Sequence, residues 1–232
     1  MSSLVHNVKN FVSLDEIEKI KKEVHSMESE WKSFSDYNRY KRYKNIWQNK
    51  DNMQHILGDA IYLIHTFDNG PSREEINWHL RSKLIQKFDW LYVKLFQEIK
   101  KTFNVEKVSF DDTLPIPGFH IFGKYEIPKT EFIVHQDTGI LDYYPEIDEN
   151  LIRSFVLLIQ SPKTPPCLDI VFSGEHAHLS ESVPYEYGTL HFWYGIIPHR
   201  IGAFALEKDE FRITFQGHFY VEPDTGVVKL YF

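Results

Sequence analysis

A mainly β fold, a sandwich or jelly roll carried behind N-terminal helices, is what the 232-residue sequence predicts. Three features carry that expectation. Up to residue 104 the apolar residues recur at helical spacing and are opened by capping motifs. From Val105 onward the pattern changes to short runs separated by Pro, Gly and acidic turns. No helical stretch interrupts those runs, which argues against parallel βαβ units and for strands packed on strands. The chain thus divides into a helical support region over 1–104 and a β core over 105–232, joined in one integrated domain.

The helices come first. Ser13-Leu14-Asp15-Glu16 is a capping box, a serine N-cap with glutamate three residues on. It opens a helix running to Trp31, with Leu14, Ile17, Ile20 and Val24 on one face. The stretch from Trp31 to Trp47 mixes aromatics with bases, among them Tyr37, Arg39, Tyr40, Lys41, Arg42, Tyr43 and Lys44. Such a mixture can bind single-stranded nucleic acid, but in an acidic protein a connector that covers a sheet fits better. A second helix is expected over Met53–Thr66, with Met53, Ile56, Leu57, Ala60 and Ile64 as its stripe and the turn Asp68-Asn69-Gly70-Pro71 as its end. Ser72-Arg73-Glu74-Glu75 is another capping box, opening the longest helix, to Phe103. Its stripe of Ile76, Leu80, Leu84, Phe88, Leu91, Leu95 and Ile99 reads as core packed on a sheet.

Strands are expected over Gly118–Glu126, Thr130–His135, Ser154–Gln160, Leu168–Phe172, Gly188–Tyr194, His199–Ala205, Phe211–Val221 and Val227–Phe232. Aromatics at 16% suit many strands and a lined pocket. A net charge of −7 gives a nucleic-acid partner no global support. The single cysteine, Cys167, excludes an internal disulfide framework. The N-terminus lacks the apolar core of a signal peptide and no apolar run reaches membrane-spanning length, so a soluble cytoplasmic protein is the expectation.

The chemistry concentrates in Thr130-Glu131-Phe132-Ile133-Val134-His135-Gln136-Asp137. On a strand, residues two apart share a face, so His135 and Asp137 would enter one cavity together. An imidazole and a carboxylate are two thirds of the 2-His-1-carboxylate triad that holds non-haem Fe(II), and His199, in Ile197-Pro198-His199-Arg200-Ile201, is a third. Downstream, Phe211–Phe219 alternates cleanly, with Arg212, Thr214, Gln216 and His218 on one face and Phe211, Ile213, Phe215 and Phe219 on the other. An arginine pointing into a β core needs an anionic partner. With no protein carboxylate evident, a bound carboxylate ligand is the attractive one, held as a fork with a nearby threonine hydroxyl assisting.

His135-x-Asp137, His199 and Arg212-x-Thr214, in that order, resemble the Fe(II)/2-oxoglutarate-dependent dioxygenases over residues 115–220. Gly188-Thr189-Leu190-His191-Phe192 is similar to the strand that precedes the distal histidine in that family. The resemblance implies a double-stranded β-helix, a jelly-roll and cupin-like core supported by helices. It implies Fe(II) on His135, Asp137 and His199 as the catalytic centre, with 2-oxoglutarate as co-substrate, its far carboxylate on Arg212 and Thr214. It implies consumption of O2, release of succinate and CO2, and hydroxylation of an unactivated C–H bond of a small molecule such as an amino acid or natural-product intermediate. His120 and Tyr125, with Phe122, are expected to line the co-substrate site, and His218 and Gln216 to stand behind the ligands.

Other readings stay open. His176-Ala177-His178 with Glu181 approximates, without matching, the ligand spacing of a cupin metal protein. An oxygenase acting on a peptide, protein or nucleic acid, and a non-catalytic β domain that binds a carboxylate through Arg212, are further alternatives. The loop after Asp137 carries Asp142, Glu146, Asp148 and Glu149, which would favour a cationic substrate such as a basic amino acid or amine, or would simply be a solvated acidic loop.

Overall fold

The computed structural model describes residues 3–33, 54–64, 76–123, 125–172 and 178–232. The basic aromatic stretch beyond Ser33, the turn at 68–71, the capping box at 72–75 and His176 lie outside them, as does the side chain of His178.

Ser13 closes its capping box, accepting from Glu16 N while Ser13 N donates to the Glu16 carboxylate. The helix α1 (Leu14–Ser26) buries Ile17, Ile20 and Val24, but Leu14 is exposed and the helix stops short of Trp31, passing into a 3-10 turn over Glu28–Glu30. The short helix α2 (Ile61–Ile64) and the long α3 (Trp78–Phe103) follow. Asn77 caps α3 at its start, and Asn104, left-handed at φ 53°, ends it. Leu80, Leu84, Phe88, Leu91, Leu95 and Ile99 are all buried, as their spacing predicts.

The rest is β. The strands are β1 (His6–Val8), β2 (Lys32–Ser33), β3 (Gln54–Leu57), β4 (Val108–Phe110), β5 (Gly118–Phe122), β6 (Ile127–Thr130) and β7 (Arg153–Gln160). After them come β8 (Cys167–Phe172), β9 (His178–Pro184), β10 (Leu190–Tyr194), β11 (His199–Ile201), β12 (Phe204–Leu206), β13 (Arg212–Val221) and β14 (Val228–Tyr231). The large sheet runs β1-β10-β7-β13-β5-β3-β2, with β14 beside β13 and β4 beside β14. The chain also forms a small β11-β8-β9 sheet and a β12-β6 pair.

Alternation assigns the faces of the large sheet. Phe155, Leu157, Ile159, Phe119, Ile121, Ile213, Phe215 and Phe219 join the helix stripe in the main core. Val156 and Leu158, on the opposite face of β7, pack with Leu168, Ile170 and Val183 of the small sheet. Strands covered on both faces read as continuous apolar runs, as β7 does. Between the two layers lies a cavity of about 560 Å³. Among the described residues, no helix is long and apolar enough to cross a membrane.

Two expectations fail in instructive ways. Residues 54–57, read as part of a helix over Met53–Thr66, form a strand paired with β5. Gly58 at φ 127° breaks any helical continuation there, and sheet pairing overrides a stripe of apolar residues that is compatible with either structure. The strand read over Thr130–His135 stops at Thr130. Its partner is interrupted at Gly202-Ala203, between β11 and β12, so no ladder continues until an isolated bridge joins His135 to His199.

Candidate functional site

The backbone sets the first three groups. His135 N donates to His199 O and His199 N to His135 O, both at 2.9 Å, a reciprocal pair that fixes the two histidines side by side. Asp137 N donates to Gly195 O at 2.8 Å. Gly195 is required by this approach, since a Cβ there would stand 2.8 Å from Ile152 Cγ2 and 3.1 Å from Asp137 O.

The side chains then converge. His135, Asp137 and His199 each present a ligand atom, all within 4.8 Å of one another, a grouping that could hold a metal ion. His199 Nε2 lies 3.1 Å from Asp137 Oδ2, and His135 Nε2 lies 3.7 Å from Oδ1. The Nδ1 atoms face away, 3.0 Å from Ile133 O and 2.8 Å from Ile197 O. A carbonyl oxygen only accepts, so each Nδ1 carries a proton and each Nε2 is the nitrogen turned to the centre. Trp193 Nε1, 3.3 Å from His199 Nδ1, therefore only packs there.

The electrostatics match. Burial pulls the Asp137 carboxyl up, but the imidazoles of His199 and His218 outweigh it and hold it well below the ordinary carboxylate range. Burial pulls His199 down, and Asp137 beside it more than reverses the effect. Asp137 thus favours a proton on His199 that a metal would displace on binding; with that proton gone, two imidazole nitrogens and one carboxylate oxygen, with no thiolate, form a donor set suited to Fe(II).

The inner wall of the same cavity carries Arg212, 1% exposed. Its Nε and Nη1 have no hydrogen-bond partner, and it forms no ion pair among the described residues. The guanidinium sits among the rings of Tyr185, Phe122 and Phe204, at 5.2, 5.7 and 5.8 Å. A buried cation with two idle donors has the chemistry to take an anion.

The other expected groups divide. His120, across from Thr214 in the ladder, lines the cavity and hydrogen-bonds the Tyr62 hydroxyl. Burial and then Arg212 push its pKa down to about 3, so the ring is neutral. Gln216 and His218 line the cavity, while Thr214 is fully buried on the same strand face and donates to Gln216 Oε1 at 3.0 Å. Tyr125 is half exposed and is not among the residues that line the cavity. Of the four acidic loop residues only Asp142 lines it, and Asp148 instead caps the turn at Asn150. Glu181, the carboxylate of the alternative cupin-like set, accepts from Ser3 Oγ and Leu4 N. Tyr62, Tyr185 and Ser154 were not singled out from the sequence; none sits in a motif, and each reaches the site through the fold.

No protein-family model matches the sequence, and no curated protein matches it. Solved structures are similar to it. SnoN, a non-haem α-ketoglutarate-dependent epimerase from nogalamycin biosynthesis, aligns with a TM-score of 0.50 and 12% identity, over 96% of this chain and 86% of that one. AviO1 from Streptomyces viridochromogenes Tue57 aligns at 0.47 and 12% identity, over 95% and 90% of the two chains. A prolyl-4-hydroxylase from Pseudomonas putida aligns at 0.45 and 14% identity, over 93% and 91%. The likeness to SnoN, at 12% identity, is one of fold alone.

Proposed function

We propose that this chain is an Fe(II)- and 2-oxoglutarate-dependent oxygenase that hydroxylates an unactivated C–H bond of a small molecule, on a double-stranded β-helix core. One observation carries the reading: a buried arginine with idle donors lines the same cavity as a His-Asp-His grouping. A metal triad alone would fit many proteins, and a buried arginine alone would fit any anion. Together they call for a ligand that chelates a metal at one end and carries a carboxylate at the other, which describes 2-oxoglutarate. The similarity in fold to a non-haem α-ketoglutarate-dependent epimerase supports the same reading.

In this proposal His135, Asp137 and His199 hold Fe(II), which supplies the redox chemistry that couples O2 and 2-oxoglutarate to oxidation of a C–H bond. The protein does the rest. Arg212 receives the far carboxylate, and its aromatic surround keeps water from competing for the guanidinium. The carbonyls of Ile133 and Ile197 hold both imidazoles in the ligating tautomer. Exposure grades along the cavity, from 1% at Arg212 through 5% and 13% for the His199 and Asp137 side chains to 52% for His135. The co-substrate therefore belongs at the closed end and the substrate at the open end beside His135, where Gln136, Thr138 and Asp142 also line the cavity.

The test is anaerobic. Fe(II) and then 2-oxoglutarate are added to the metal-free protein and the visible spectrum is recorded. A weak metal-to-ligand charge-transfer band that disappears in His135→Ala is the expected result. Iron binding without such a band would refute the co-substrate assignment, and no iron binding would refute the metal centre.

A further inference from the structure

Every candidate ligand has a partner behind it, but only one of these partnerships is made of side chains. The two histidines lean on backbone carbonyls. Asp137 leans on Ser154, whose Oγ is 2.6 Å from Asp137 Oδ2 and 3.0 Å from His218 Nδ1. The direction of both bonds follows from the chemistry of the groups. An ionised carboxylate only accepts, so Ser154 spends its single proton on Asp137 and must accept from a protonated His218 Nδ1. The order is thus His218 N–H to Ser154 O–H to Asp137, each group having one possible role.

The fold holds this chain rigidly. Ser154 is fully buried on β7 and His218 nearly so on β13. The two are directly opposite each other in the ladder between those strands, so their separation is set by backbone pairing. His218 Nδ1 is also 3.6 Å from Asp137 Oδ2, close enough to reinforce the same oxygen.

We propose that Ser154 and His218 are positioning residues for the metal centre: they hold the Asp137 carboxylate at the one rotation in which it faces both histidines. This rests on the metal-centre reading above. Without the pair Asp137 Oδ2 keeps only His199 Nε2, 3.1 Å away, a group that a bound metal would take for itself, so the carboxylate would have to be ordered each time a metal bound.

The experiment titrates Co(II) into metal-free protein and, separately, records its thermal melt without metal. Removal of outer-shell partners of this kind costs about 10–100-fold in metal affinity. Ser154→Ala is expected to raise the Co(II) Kd by that factor while the metal-free protein still melts cooperatively, about 2–12 °C lower for the buried His218 N–H left unpaired. His218→Phe keeps a ring but loses the donor, and is expected to weaken Co(II) binding too, with His218→Asn, which donates from Nδ2, recovering most of the loss. Wild-type affinity in both Ser154→Ala and His218→Phe would overturn the proposal. Should Ser154→Ala not fold, equal affinities in His218→Phe and His218→Asn would overturn it alone. A wild-type protein that binds no Co(II) would instead remove the metal centre itself, a distinct failure.

Discussion

Replacing Arg212 with Met should move stability and ligand affinity in opposite directions. Arg212 is sealed into the protein with Nε and Nη1 unbonded, and no carboxylate pairs with it. Each buried donor left unmade costs about 1–3 kcal/mol, so two cost about 2–6 kcal/mol in the ligand-free protein. Three ring contacts at 5.2–5.8 Å offset part of this, at about 0.5–1 kcal/mol each for distances near the outer limit of the interaction. Methionine fills similar space with nothing to satisfy, and at the middle of both ranges the net gain in stability is about 1–2 kcal/mol. For a chain of this size that raises Tm by about 2–8 °C. The same substitution removes the cation that would receive the far carboxylate, a loss of about 2–5 kcal/mol or roughly 30–4,000-fold in Kd. The assay is a thermal melt without ligand, paired with calorimetric titration of 2-oxoglutarate into the metal-loaded protein without O2. A lower Tm together with an unchanged Kd would refute the argument, because the arginine would then be a structural group with a partner of its own.

Three further outcomes follow from the same geometry. His135→Ala and His199→Ala should each fail to retain Fe(II) through dialysis, read by metal analysis; full retention by either would remove that residue from the ligand set. Gly195→Ala forces a Cβ to 2.8 Å from Ile152 Cγ2 and 3.1 Å from Asp137 O; it should cost about 1–3 kcal/mol by overpacking and weaken metal binding, and a melt and metal titration like those of the wild type would count against the backbone anchor. His120 and His191 are pushed down by burial to about 3 and about 4 from an ordinary 6.5. Between those limits the unfolded chain holds more protons than the folded one, so stability should fall as pH drops below 6.5, by about 1.4 kcal/mol per pH unit per histidine. Urea unfolding at several pH values measures this, and a flat profile from neutral to mildly acidic pH would contradict it.

The parts of the site that could be read from the sequence are those governed by short-range periodicity. The alternation of β13 separates Ile213, Phe215 and Phe219, which face the helices, from Arg212, Gln216 and His218, which face the cavity. Arg212 stands out because it is a lone cation on a buried strand. The stripe of α3 is legible for the same reason, its spacing leaving one face for the core. What the sequence conceals is whatever depends on a distant partner. Ile56 and Leu57 fit a helix or a strand until β5 is placed beside them. Ser154 looks like an ordinary polar start to an apolar strand, and only the ladder to His218 reveals its two bonds. Tyr125 is expected with His120 and Phe122 at the co-substrate site, but it is out of phase with them by one residue and lies beyond the end of the strand at Phe122, half exposed.

The failed strand at Thr130–His135 explains why the histidines are well held. Inside a ladder, a strand's carbonyls and N–H groups are committed to its neighbours. Residues 131–134 and 195–198 lie outside any strand, and the bridge between His135 and His199, the bond from Asp137 N to Gly195 O and the bond from the Gln136 side chain to Ile196 O join the two segments. The carbonyls of Ile133 and Ile197 are therefore free to accept from the two Nδ1 atoms. Continued pairing along this segment would have consumed those acceptors and left the ring tautomers undetermined. Arg212 has the opposite requirement. It needs to be immobile, and it lies on β13, which pairs with β5 on one edge and β7 on the other. The cavity thus combines a rigid cation on the central strand with metal-ligand candidates on segments whose lack of regular structure supplies their second hydrogen bonds. Each half of the site is built from the kind of backbone its chemistry needs.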